Sequence, residues 1–139
     1  MKLIIDTNVV IAAFGKNAFT RKVILHPNLE LISPDFLLEE LEEHKEEIME
    51  RTGLTPVEYP IVRDILLSNI KIIPFKEYNS NFKRAMDIMK KIDIDDTSFI
   101  ALGLSSETDG LWSNDKRIKK QEYIRIWTTE EVKVYLKIQ

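Results

Sequence analysis

Apolar residues along the chain fall into short unbroken runs and helically spaced stripes that take turns. Leu3-Ile4-Ile5 is followed at once by Asp6. An aliphatic run with no polar alternation is the pattern of a parallel strand covered on both faces. Helical spacing appears over residues 8–14 and 19–25, the second stopped by Pro27, and residues 29–32 read as a second strand. Ser33 as N-cap and Pro34 at the first helical position predict a long helix from 34 to about 51, terminated by Gly53. Thr55-Pro56-Val57-Glu58 has the spacing of a capping box and opens a helix that runs to about residue 69. Residues 70–74, 111–113 and 124–127 read as strands, and 80–91 and 96–106 as helices. Thr128, with Glu131 in the box position, caps a final helix.

Strands alternating with helices throughout predict an α/β fold, a three-layer α/β/α sandwich around a five-stranded, mostly parallel sheet. With 139 residues and no linker or repeat, residues 1–139 read as a single domain. Composition narrows the class: 44% of residues are apolar and 31% charged, which excludes a disordered or low-complexity chain. There is no cysteine, so disulfides, thiolate-held zinc and thiol catalysis are excluded. His26 and His44 lack metal-ligand spacing. The longest apolar stretch, Val9 to Phe14, is far short of the roughly 18 residues of a membrane span. Residues 2–5 are too short for the apolar centre of a signal peptide. A cytoplasmic, soluble protein is expected.

In parallel sheets ligands bind beyond the carboxyl ends of the strands, so acids at those positions carry the functional question. Asp6 ends the first strand, where it reads equally as a site residue or as the cap of the next helix. Glu40 is one of seven glutamates from Glu39 to Glu50. At about 100° per residue, Leu37, Leu41 and Ile48 define the buried stripe. Glu39 and Glu43 fall opposite it, and Glu40 lies at its flank. Asp96 shares a helix face with Phe99, Ile100 and Gly103, so its charge needs a partner or a metal. Asp95 projects sideways and Asp93 lies just outside the helix. Asp115 comes just past the fourth strand, where a turn residue is the plainer reading. Together the four acids could meet at one sheet edge. Gathered carboxylates repel and take up protons unless a cation neutralises them. Oxygen ligands without histidine or cysteine select Mg²⁺ or Mn²⁺, and such a site suits in-line phosphoryl transfer.

These residues carry a resemblance. Ile4-Ile5-Asp6-Thr7-Asn8 resembles the opening motif of the PIN-domain ribonucleases, a family that includes virulence-associated-protein-C-like toxins. Ser33-Pro34-Asp35-Phe36-Leu37-Leu38-Glu39-Glu40-Leu41 is similar to their second motif, with Glu40 in the site position. Asp96-Thr97-Ser98-Phe99-Ile100-Ala101 resembles the third and Leu111-Trp112-Ser113-Asn114-Asp115 the fourth. Gly103 stands where the family usually has alanine, and keeps the small size. The resemblance implies Mg²⁺- or Mn²⁺-dependent cleavage of single-stranded RNA. It makes Asp6, Glu40, Asp96 and Asp115 the catalytic, metal-holding acids, with Thr7, Asn8 and Ser113 in support. It further implies homodimers or higher homo-oligomers and, for a toxin, an antitoxin protein as partner.

Net charge is −3, so an RNA substrate needs local basic residues. Lys83-Arg84, Lys90-Lys91, Lys116-Arg117 and Lys119-Lys120 bracket the third and fourth acids, and Lys116 and Arg117 are read as phosphate contacts. Trp112 and Trp127 are read as core. A haloacid-dehalogenase-type phosphatase would need a second aspartate where Asn8 stands, and the register does not suit a two-component receiver domain. The chain has neither a glycine-rich phosphate loop nor a serine-nucleophile elbow. A non-catalytic interaction domain of the same fold would be expected to lack the acids.

Overall fold

A computed structural model describes residues 1–16 and 18–138. In chain order the elements are β1 (Lys2–Ile5), α1 (Thr7–Ala12), α2 (Phe19–Ile24), β2 (Glu30–Pro34), α3 (Phe36–Glu43), α4 (Lys45–Thr52) and α5 (Glu58–Leu67). They continue with β3 (Ile70–Ile73), α6 (Phe82–Met89), α7 (Thr97–Ser105), β4 (Leu111–Trp112), β5 (Ile126–Trp127) and α8 (Thr129–Leu136). All five strands are parallel, in the order β3-β2-β1-β4-β5. Strand order therefore reverses about β1, with β2 on one side and β4 on the other. The crevice beyond the ends of β1 and β4 is where such sheets bind ligands.

The strands are apolar on both sides because each side has its own core. Leu3 and Ile5 join one core, with α1 to α5 and α8, and Ile4 joins the other, with α6 and α7. The same alternation places Trp112 and Trp127 in the first core and Leu111 and Ile126 in the second. Both tryptophans are core, as expected, and each indole N–H is satisfied: Trp112 donates to Thr129 Oγ1 and Trp127 to the Asp109 carbonyl.

Both capping boxes form. Thr55 and Glu58 exchange backbone-to-side-chain bonds at 3.0 and 3.1 Å, and Thr128 and Glu131 do the same. The long helix expected from residue 34 is instead two helices, broken at His44. Leu37, Leu41 and Ile48 are nevertheless all buried, since the turn between the helices is short. Ser33 is not an N-cap. It lies in β2, and its hydroxyl donates to the Ile5 carbonyl at 3.0 Å. Pro34 ends that strand beside Ile73 and does not start a helix. β5 begins two residues later than expected, because the Gln121 carboxamide binds the backbone of Tyr123 and Ile124 and holds them out of the ladder. No helix among the described residues is long and apolar enough to cross a membrane.

Candidate metal centre

Asp6 is carried past the end of β1 into the first turn of α1 and is only 5% exposed. Its carboxylate accepts the Val9 N–H at 2.9 Å, so it caps α1 while facing the crevice. The capping reading of this residue is thus met, and its burial leaves room for the other. Burial pushes its pKa up, and the neighbouring charge of Asp115 adds to that. The Ser113 hydroxyl and the N–H groups of Val9 and Asn8 act the other way.

Glu40 lies at the start of the second turn of α3, half-buried, while Glu39 beside it is exposed. Thr7 Oγ1 donates to Glu40 Oε1 at 2.5 Å, fixing the carboxylate against α1. Burial raises the Glu40 pKa; the Thr7 bond and His44 oppose it, and Asp6 and Asp95 add to it.

Asp96 holds the N-cap position of α7, yet its side chain accepts no helix N–H. Capping does not account for it. Its pKa is pushed up to about 7, first by burial and then by Asp93, Asp6, Asp115 and Glu40 in turn. A carboxylate that feels four others is at the middle of a convergent group. Of the four expected acids, Asp96 and Asp115 belong to a cluster whose oxygens lie within 4.8 Å of one another, and Asp6 and Glu40 act on Asp96 through charge.

The structure also adds Asp93. Oxygens of Asp93, Asp96 and Asp115 all lie within 4.8 Å of one another. The sequence reading left Asp93 outside the helix. The signal that could have found it is the spacing Asp93-Ile94-Asp95-Asp96, which a single 3₁₀ turn over Ile94–Asp96 folds so that the outer pair share a side. Asp95, between them, turns outward into a neighbouring cavity.

Ser113, fully buried, links two of the acids, because its oxygen also accepts the Asp115 N–H at 3.2 Å. Asn8 is exposed, and its contribution to Asp6 comes from its backbone N–H. Lys116 is exposed at the rim. Arg117 is exposed but engaged by the protein's own acids. Its guanidinium turns back to bridge Asp93 Oδ2 at 2.9 Å and Asp115 Oδ2 at 3.0 Å. That contact holds the Asp115 carboxyl below its usual range. Gly103 meets a tight neighbour: a Cβ there would lie 2.8 Å from Ile124 Cδ1, which explains a small residue at this position.

The donor set consists of carboxylate oxygens alone, close together and partly desolvated, with Asp96 raised to about 7 by burial first and by its neighbouring acids second. Hard oxygen donors of this kind fit Mg²⁺ or Mn²⁺, and do not fit zinc or copper.

Comparison with known proteins agrees with this fold. A family model described as "PIN domain" matches residues 4–137. Among solved structures, one similar chain belongs to the crystal structure of VapBC2 from Rickettsia felis bound to a DNA fragment from their promoter. The TM-score is 0.70 at 16% identity, over 92% of this chain and 98% of that one, a likeness of fold. No curated protein sequence matches.

Proposed function

Since this chain belongs to the PIN-domain family, we propose that it is a Mg²⁺- or Mn²⁺-dependent endoribonuclease that cleaves single-stranded RNA, acting as the toxin of a toxin–antitoxin pair. The observation that carries the reading is the cluster in which oxygens of Asp93, Asp96 and Asp115 lie within 4.8 Å of one another. Such a group is costly unless a cation shares it. Asp6, Glu40, Asp96 and Asp115 would hold the cation, with Asp93 at their side. When bound, it would supply neutralisation of charge developing on the phosphate and a more acidic water.

The chain's own residues do the positioning. Thr7 holds Glu40, Ser113 holds Asp6 and the Asp115 backbone, and the Val9 N–H fixes the second side of Asp6. Arg117 offsets two of the charges from within, which leaves the inner acids to the cation. Lys116 stands at the rim, where an incoming phosphate would meet it before the acids. An antitoxin partner and a homo-oligomeric state belong to this reading, as the family resemblance implies.

The direct test is titration of Mg²⁺ or Mn²⁺ against end-labelled single-stranded RNA. Cleavage that depends on the cation and vanishes in Asp6→Asn is expected. Failure of either cation to support cleavage of any single-stranded RNA would end the proposal.

A further inference from the structure

Beside the acids lies a cavity of about 370 Å³ whose lining none of the groups above uses. It shares a wall with the carboxylate site. Phe36, one helical turn before Glu40, lines it, and so do Glu39 and Asp95, the sequence neighbours of Glu40 and Asp96. The charge of Asp95 also reaches Glu40.

The apolar side of the cavity is aromatic. Phe36, Phe75 and Phe82 face it, with Phe75 and Phe82 in edge-to-face contact at 5.3 Å. Phe75 remains 45% exposed. The polar side is of two kinds. Deep in the cavity, the Tyr78 hydroxyl donates to Asp35 Oδ1, Asp35 Oδ2 accepts the Phe75 N–H at 3.1 Å, and the Ser98 hydroxyl bonds the Tyr78 oxygen. Those groups are spent on one another and set a rigid floor. At the rim, Glu39 and Asp95 are exposed, and neither side chain has a hydrogen bond or ion pair among the described residues.

An aromatic wall, partly exposed at Phe75, with carboxylate acceptors at its mouth defines the chemistry of the occupant. Bases of single-stranded RNA are recognised by stacking on aromatic rings and by hydrogen bonds to their Watson–Crick edges. An ionised carboxylate only accepts, and takes two parallel N–H groups best. Guanine alone among the RNA bases offers two adjacent N–H donors on that edge, at N1 and N2; adenine, cytosine and uracil each set an acceptor beside the donor. The acidic rim repels a phosphate, so a nucleotide would enter base first, with its phosphate toward the rim lysine and the cation-holding acids.

We propose that this cavity is a guanine-binding subsite, in which Glu39, seconded by Asp95, accepts from N1–H and N2–H of an unstacked guanine beside the scissile phosphate. The assignment rests on the single-stranded RNA reading of the neighbouring acids and gives that reading a base preference.

The test reads binding without cleavage. The four 5′-nucleoside monophosphates and inosine 5′-monophosphate, which lacks the N2 amino group, are titrated without divalent cation. The Met86 and Ile94 methyl resonances, which line the cavity, serve as reporters. GMP is expected to shift both methyls and to bind about tenfold more tightly than AMP, CMP or UMP, with inosine monophosphate between. Glu39→Gln, at an exposed position that the fold does not need, should bring GMP down to the level of AMP, and Asp95→Asn should weaken GMP less. Equal binding of all the nucleotides, binding of none, or a guanine preference that survives both substitutions overturns the subsite. Guanine binding in a protein that cleaves no RNA would instead refute the nuclease and leave the subsite standing.

Discussion

The acids at the sheet edge fall into two regions that the protein treats by opposite means. The inner pair, Asp6 and Glu40, is enclosed, and each carboxylate is held by a neutral hydroxyl, from Ser113 and Thr7. Burial raises both. The outer pair, Asp93 and Asp115, lies nearer solvent under the Arg117 guanidinium, and Asp115 is held low. Asp96 stands between and feels both. The outer half thus carries its own guanidinium, while the inner half relies on hydrogen bonds, with His44 acting on Glu40. What the fold leaves uncompensated is what a divalent ion would compensate.

The most severe way to probe that division is to neutralise its midpoint. Asp96→Asn should reduce RNA cleavage by about a thousandfold or more, since an amide is a poor ligand for a hard cation. Measured without divalent cation, its melting temperature should equal or exceed that of the parent, because the substitution removes a charge the fold raises. A lower melting temperature would mean that the two regions do not repel across Asp96.

Next comes proton linkage. Asp96 binds its proton more tightly folded, at about 7, than at its ordinary 3.8. The stability this contributes is full below pH 3.8, is lost as pH rises toward about 7, and is level above that. With chelator present, the melting temperature should decline by roughly 3–8 °C between pH 5 and 8. Saturating Mn²⁺ should remove most of the decline, because the cation takes the proton's place. A melting temperature that stays flat with chelator would contradict the raised carboxyl.

The smallest effect belongs to the outer half. Arg117→Gln removes two exposed ion pairs that compete with a cation for the same oxygens. Mn²⁺ affinity, read by calorimetry, should rise by roughly twofold to tenfold. Weaker binding in the variant would show that the guanidinium shapes the site more than it competes for it.

Much of this arrangement was legible in the chain. Leu3-Ile4-Ile5 before Asp6 revealed a two-faced strand and its functional end, and helical phase singled out Glu40 from its neighbours. Local patterns worked where one local force decides, as in the Thr55–Glu58 and Thr128–Glu131 boxes. They failed where a tertiary contact wins. Ser33 looks like a cap, but the Ile5 carbonyl across the sheet claims its hydroxyl. No proline or glycine marks the break at His44, so an unbroken helix was the natural reading of the glutamate-rich stretch. Asp93 precedes α7, so helical phase does not reach it, whereas a 3₁₀ turn brings it to Asp96. The inward turn of Arg117 depends on where Asp93 lies, which spacing alone does not give.

β4 and β5 are only two residues long, so the half of the sheet that presents Ser113 and Asp115 has few ladder bonds to hold it. Its firmness comes from two indole pegs, Trp112 fastened to Thr129 and Trp127 to Asp109. Wear in those pegs would be transmitted to the centre as a drift of one jaw against another, with Asp6 and Glu40 left seated on their own helices. A protein built this way can lose its chemistry while keeping its shape.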